Sequence, residues 1–255
     1  MKSTLSPLGL YVHIPFCKSK CVYCDFYSLP QSEGRMDDYT DALCAHLAET
    51  SPFASDRLVD TVYFGGGTPS YLGVKRLEKI LKVILKKYKV AKDAEITLEA
   101  NPDSAGDWKA LRSLRKCGFN RLSLGMQSAD DAELAEIGRV HTMAQVTDAV
   151  EAARKARFEN LSLDLIYGLP RQTAERWQAN LSAAADLEPE HLSCYGLKVE
   201  EGTPLFARRD TAGLPGDEAQ ADMYLYTVEF LRAHGYEQYE ISNFAKPGFA
   251  SRHNL

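Results

Sequence analysis

Apolar positions along this chain keep two alternating rhythms. Short, β-rich runs recur at "LGLYVHI" (8–14), "TVYFGGG" (61–67), "AEITLEA" (94–100), "RLSLGMQ" (121–127), "LSLDLIYG" (161–168) and "HLSCYGLKV" (191–199). Between them lie stretches with helical spacing: "YTDALCAHLAE" (39–49), "VKRLEKILKVILKKY" (74–88), "DWKALRSLRKCG" (107–118), "TMAQVTDAVEAARKA" (142–156) and "TAERWQANLSAAADL" (173–187). The second is the clearest. Leu77, Ile80, Leu81, Ile84 and Leu85 fall three and four apart on one stripe, as the buried face of a helix requires. Thr142 and Thr173 suit N-cap positions, where a hydroxyl accepts from an orphan N–H of the first turn. Gly118 suits a helix stop.

Strand–helix alternation implies parallel strands joined by crossover helices. An α/β fold is predicted: a partial (β/α)6, TIM-like barrel over residues 1–205. An open doubly wound sheet would give the same alternation. The placement of unusual residues favours the barrel. Three cysteines follow the first run, and Gly65, Gly66, Gly67 and Thr68 close the second. Glu99 and Asn101 sit at the third, Gln127 at the fourth, Asp164 and Tyr167 at the fifth, and Tyr195 at the sixth. In a β/α barrel the C-terminal strand ends meet at one mouth. An open sheet would gather ligands at a single switch point instead.

After about residue 200 the texture changes. "EEGTPLFARRDTAGLPGDE" (200–218) reads as a loop, "EAQADMYLYTVEFLRAHG" (218–235) as a helix, and "YEQYEISNFAKPG" (236–248) as one strand broken at Pro247–Gly248. Residues 206–255 are expected to open a C-terminal α+β region that is cut short at "SRHNL".

The chain has 255 residues, 45% hydrophobic and 25% charged, enough for a core of ordinary size. Its net charge is −5 and no Lys/Arg run stands out. "KVILKKYKVAK" (82–92) reads as the solvated face of a helix, so nucleic acid is not an expected partner. The first residues show no signal-peptide pattern and no 18-residue apolar run occurs, which predicts a cytoplasmic location. Six cysteines, three of them clustered, point to metal or redox chemistry rather than a disulfide scaffold.

Those three are Cys17, Cys21 and Cys24, spaced C-x3-C-x2-C. A structural zinc site usually takes four N/S ligands. His13 could supply a fourth, but it lies on a predicted strand, where a histidine more often packs. Iron–sulfur cubanes commonly take four thiolates, so three would leave one iron open to a ligand. Cys44, Cys117 and Cys194 have no partners at ligand spacing and read as packed thiols. His46, His141, His191 and His234 are scattered and carry no assignment.

The C-x3-C-x2-C motif after a first strand, with Tyr23 before the third Cys, resembles the radical S-adenosylmethionine (SAM) superfamily. "GGGTP" (65–69) at the end of the next strand strengthens the likeness. "LYVHIPFC", "FGGGTPSYL", "LEANPDS", "NRLSLGMQS", "LDLIYGLP" and "YEISNFAKPG" are similar to the oxygen-independent coproporphyrinogen III oxidase-like branch, over roughly residues 8–255. The resemblance implies a [4Fe-4S] cluster on Cys17, Cys21 and Cys24, with SAM on the open iron. It implies that Tyr11 and Tyr23 line the SAM site and that Gly66, Gly67 and Thr68 cradle its methionine part. Glu99, Gln127, Arg139 and Asp164 would contact SAM or a second ligand; Arg139 could otherwise be a surface charge at a helix end. Carboxylates suit an ammonium and a sulfonium, and Arg139 suits a carboxylate.

Within that branch two features divide oxidase from heme chaperone. The oxidase has a fourth Cys two residues after the third and a longer segment before the first strand. Here that position is Phe26, and only a short segment precedes the strand. Both features resemble the HemW-like family of heme chaperones. That family implies heme as a ligand, a heme-recipient protein, and an electron donor such as flavodoxin or ferredoxin. Its H-N-x-x-Y-W motif is represented only by His253–Asn254, which makes His253 the candidate heme ligand. The alternative is radical oxidative decarboxylation of coproporphyrinogen III propionates to vinyl groups.

Overall fold

The structure is a computed structural model and describes residues 7–255. Its frame is a run of strand–helix units: β1 (Leu8–Ile14), α1 (Met36–Thr50), β2 (Val59–Gly66), α2 (Val74–Lys87), β3 (Val90–Ala100), α3 (Trp108–Cys117), β4 (Arg121–Gln127), α4 (Met143–Lys155), β5 (Asn160–Tyr167), α5 (Ala174–Asp186) and β6 (His191–Gly196). Helix α6 (Asp217–Ala233) follows, then the short strands β7 (Glu237–Gln238) and β8 (Asn243–Ala245).

Strands β1 to β6 pair in parallel and lie in chain order, with no reversal. A doubly wound sheet would reverse its order at a switch point. Winding in one direction keeps the crossover helices on one face and lets the other face curl inward. This is the predicted half-barrel. β8 pairs antiparallel with β6, and β7 with β8, so the C-terminal hairpin extends the same sheet. The sequence suggested one strand over 236–248; the structure folds it into a hairpin. Glu240 makes the turn by accepting from the Ser242 N–H at 2.8 Å and from the Asn243 amide.

The sequence determines the layers. On the helix-facing side, Val62, Phe64, Leu98, Leu122, Leu124, Leu163, Leu165 and Leu192 are fully buried. Leu77, Ile80, Leu81 and Ile84 of α2 pack into the same core, each contributing about 1.5–3 kcal/mol relative to exposure. Leu85 completes the stripe at its solvent edge. Thr142 caps α4 in a capping box with Gln145, and Thr173 caps α5. Cys194 belongs to the core, and Cys44 and Cys117 pack against it.

The alternate strand positions face inward, and they are polar. Glu99, Ser123, Ser162 and His191 form one registered row across β3 to β6, and Gly125, Asp164 and Ser193 form the next. Strands buried on both faces are usually near-continuous apolar runs. Here the half-barrel encloses a hydrophilic lumen. The chain's last residues close one side of it, where Glu95 accepts from the backbone of Arg252 at 3.2 Å and of His253 at 3.4 Å.

Candidate functional site

A cavity of about 600 Å³ opens at the C-terminal ends of the strands. Cys17, Cys21, Tyr23, Cys24, Gly66, Gly67, Thr68, Glu99, Gln127, Arg139 and Asp164 all line it. The mouth was predicted from strand ends alone, and these eleven residues meet there.

The three thiols rim the outer part. Cys17 is buried; Cys21 and Cys24 are half-buried. Burial pushes the Cys17 thiol up, against a lowering contribution from Thr68. Among the described residues no group of three His, Cys, Asp or Glu is arranged to hold a single metal ion. A cubane presents separate irons to separate thiolates, and Cys17, Cys21 and Cys24 bring three thiols to one cavity. His13 does not join them. Its Nε2 meets the Tyr27 carbonyl at 3.0 Å and its ring covers Gly66.

The glycine loop is built for close approach. A Cβ on Gly67 would lie 2.8 Å from Cys17 Sγ and 2.9 Å from the Phe16 carbonyl. One on Gly66, at φ +117°, would strike the His13 ring at 2.7 Å. The N–H groups of this loop are already engaged. Gly66 donates to Glu99 at 3.2 Å, Gly67 to the Ile14 carbonyl at 2.9 Å and Thr68 to the Phe16 carbonyl at 2.8 Å. The loop therefore brings backbone up to the thiols without offering these donors to a ligand.

Arg139 is held over Gly125. Its Nη2 donates to Asn101 Oδ1 at 2.7 Å and to the Gly125 carbonyl at 2.9 Å, and Nη1 points to Cys21 Sγ at 3.6 Å. Its Nε is buried without a partner. A surface helix-end charge would show none of this. Asn101 also donates to Thr68 Oγ1 at 3.1 Å, tying the loop after β3 to the glycine loop. Gln127 adopts φ +64° and comes within 2.9 Å of where a Gly125 Cβ would stand.

Deeper in the lumen, Glu99 accepts from the Tyr63 hydroxyl at 2.7 Å. Burial raises its carboxyl to about 7 despite that bond. Asp164 accepts from Ser123 Oγ at 3.1 Å and Ser162 Oγ at 3.3 Å, and burial raises it as well. Burial also raises the Tyr23 phenol, whose ring packs beside Ile166 and Leu197.

Two expected residues lie outside this lining. Tyr11 is half-exposed on β1 and stacks against Tyr63 with centroids 6.1 Å apart. His253 stacks on Tyr63 at 5.0 Å and shares a hydrogen bond between Nδ1 and Thr61 Oγ1 at 2.9 Å. Tyr63, Arg121, Ser123, Gly125 and Ser193 line the cavity but carried no assignment. The period-two alternation of "RLSLG" and "HLSCY" is the signal that points to several of them. Phe26 is exposed at the rim, where an aromatic ring replaces any fourth thiol.

A one-way half-barrel with a three-thiol mouth defines a class. Residues 11–183 match the radical SAM superfamily, and the chain belongs to it. Membership implies a [4Fe-4S] cluster and SAM. More particularly, the chain is 40% identical to the heme chaperone HemW of Lactococcus lactis over 98% of its length, and 39% identical to that of Escherichia coli over the same share. It spans 65% and 66% of those relatives, so it covers less than two thirds of their length. Among solved structures, the coproporphyrinogen III oxidase HemN of E. coli matches with a TM-score of 0.86 at 32% identity, over 95% of this chain and 56% of that one. An archaeal Elp3 matches at 0.59 with 16% identity, which shows the fold alone. No helix among the described residues is long and apolar enough to cross a membrane.

Proposed function

We propose that this chain is the cluster- and SAM-binding part of a protein that binds heme and hands it to a recipient protein. The observation that carries the reading is the likeness to proteins named heme chaperone HemW along 98% of the chain. Phe26 in place of a fourth thiol supports it.

In this reading Cys17, Cys21 and Cys24 hold the cluster. Arg139, locked by Asn101 and the Gly125 carbonyl, lines the cavity and brings a guanidinium charge there that suits the SAM carboxylate. Glu99 and Asp164 supply negative charge for its cationic groups. Gly66, Gly67, Thr68 and Gln127 shape the wall, Tyr23 packs at the rim, and Tyr11 backs the site through Tyr63. When bound, the cluster supplies the electron that cleaves the sulfonium bond of SAM. A flavodoxin- or ferredoxin-type donor fits that need. An open-iron cluster is oxygen-sensitive, which supports a reducing compartment such as the cytoplasm.

His253 is the candidate axial ligand for heme. Its Nδ1 is engaged by Thr61, which fixes the ring orientation, and no protein group hydrogen-bonds its Nε2 among the described residues. The test is an anaerobic hemin titration of the reconstituted protein and of His253→Ala. A saturable shift of the heme absorbance, altered in the variant, is expected. Wild-type protein that leaves the hemin spectrum unchanged would remove the proposal.

The match to HemN favours a second reading, the radical decarboxylation of coproporphyrinogen III. Incubation with that porphyrinogen, SAM and a reductant separates the two. Loss of CO2 from the propionates would establish the oxidase reading. SAM cleavage without it is the result the chaperone reading expects.

A further inference from the structure

Val22 stands between two of the three thiols. Cys24 donates its N–H to the Cys21 carbonyl at 3.3 Å, so Val22 and Tyr23 form the middle of a turn whose two ends carry cysteines. Both peptide groups of Val22 are engaged, one by each of two short helices. Its N–H donates at 3.1 Å to the carbonyl of Ile137, the C-cap of the helix Asp131–Glu136. Its carbonyl accepts at 2.9 Å from the N–H of Leu205, in the first turn of the helix Pro204–Ala207. Both partners are groups that a helix end leaves without an internal bond. Gly138, at φ +76°, completes the seat, since a Cβ there would lie 3.3 Å from Val22 Cγ1.

The apolar hold on this turn is small and local. Ile137, Ile166 and Leu169 form a buried cluster apart from the main core, and Val22, Tyr23 and Leu197 pack against it. A unit with so few buried apolar contacts opens more readily than the barrel around it, so its polar fastenings matter more. Arg208 is the fastening between the two helices. Its Nη2 donates to the Glu136 carbonyl at 3.0 Å and its Nη1 to Glu136 Oε1 at 3.1 Å, while its own N–H donates to the Leu205 carbonyl at 3.1 Å. One guanidinium thus ties the residue that holds the Val22 carbonyl to the helix end that holds the Val22 N–H. Arg171 also pairs with Glu136, but its side chain is 65% exposed and meets the carboxylate alone. An exposed pair of that kind contributes little, whereas the Arg208 fork makes two charge-assisted bonds, one of them to backbone. Arg139 lies two residues beyond Ile137, with Nη1 at 3.6 Å from Cys21 Sγ.

We infer that Arg208 is a positioning residue for the thiol turn. By bolting the helix Pro204–Ala207 to the end of the helix Asp131–Glu136, it keeps both jaws closed on Val22 and so fixes Cys21 and Cys24 at the cavity. The consequence for a cluster rests on these cysteines holding one, as proposed above; the clamp on Val22 does not.

The test compares the wild-type chain with Arg208→Met, Arg208→Lys and Arg171→Met. Amide exchange of Val22 and Leu205 is followed by nuclear magnetic resonance on the full chain without cluster, with Leu122 and Leu124 of β4 as internal reference. In Arg208→Met the two clamp amides should exchange about tenfold faster while the β4 amides keep their rates. Arg208→Lys, with a point charge in place of a fork, should recover part of the protection, and Arg171→Met should match wild type. After anaerobic reconstitution, Arg208→Met should lose iron to a chelator faster than wild type and give a broader resonance from the reduced cluster. If Arg208→Met does not fold by circular dichroism, Arg208→Lys carries the same comparison. Unchanged exchange at Val22, or equal acceleration at every amide, would overturn the inference, as would an unchanged rate of iron loss. If the wild type takes up no iron and sulfide, the cluster reading fails, and the exchange rates still decide whether Arg208 holds Val22.

Discussion

The Tyr63 hydroxyl donates to Glu99 Oε1 at 2.7 Å, while the same ring stacks on His253 with centroids 5.0 Å apart. One side chain thus links the carboxylate at the centre of the lumen to the histidine near the end of the chain. The hydrogen bond lowers the Glu99 pKa against a larger rise from burial. Tyr63→Phe keeps the ring stack and deletes the donor. Glu99 should then hold its proton to higher pH, and SAM affinity near neutral pH should fall by about 1 kcal/mol. Isothermal titration across pH would detect this, and an unaltered affinity would place SAM away from Glu99.

Gly67 has no room for a methyl group. Gly67→Ala puts a carbon 2.8 Å from Cys17 Sγ. The expected cost is about 1–3 kcal/mol of stability, with less iron bound per chain after reconstitution. Thermal melts and iron analysis would check both.

Thr173 offers a control away from the cavity. Its side chain accepts from the Arg176 N–H and caps α5. Thr173→Ala should lower stability by about 1 kcal/mol and leave SAM affinity unchanged. A parallel loss of SAM binding would mean that the site responds to any loosening of the barrel.

Glu99 also makes stability depend on pH. Its folded pKa, about 7, lies above the ordinary 4.5, so the folded state holds a proton that the unfolded state has released between those values. Its contribution therefore favours the folded state at the acid end of that window and is lost as pH rises through it, by up to about 3 kcal/mol. His191 acts in the opposite sense. Burial drops its pKa to about 2, so it destabilises the fold as pH falls below its ordinary 6.5. Substituting Glu99 by Gln isolates the first effect. Urea titrations should find the variant gaining stability relative to wild type between pH 5 and pH 8, and a pH-independent difference would contradict the burial of an ionisable Glu99.

Much of this was legible in the sequence. The runs 8–14 and 121–127 became β1 and β4 with the same limits, and the helix periodicities placed α2 through α5 within a residue or two. The convergence of Cys17, Gly67, Glu99 and Asp164 followed from their strand-end positions. The polar lumen is not legible in the apolar members of the runs, which mark only the helix-facing side of each strand. Arg121, Ser123 and Ser193 occupy the alternate positions, and only curling of the sheet shows that those face a cavity. The hairpin at 237–245 depends on pairing with β6, a tertiary contact that no local pattern encodes. The placement of His253 under Tyr63 depends likewise on Glu95, more than 150 residues away, holding the chain end.

The central claim is that one cavity brings a three-thiol cluster together with SAM. Electron paramagnetic resonance of the anaerobically reconstituted, reduced protein tests it most directly, recorded with and without SAM and repeated for Cys17→Ala. The account predicts a [4Fe-4S] signal that changes on adding SAM and is lost in the variant. Zinc in place of iron and sulfide, or a cluster signal indifferent to SAM, would contradict it.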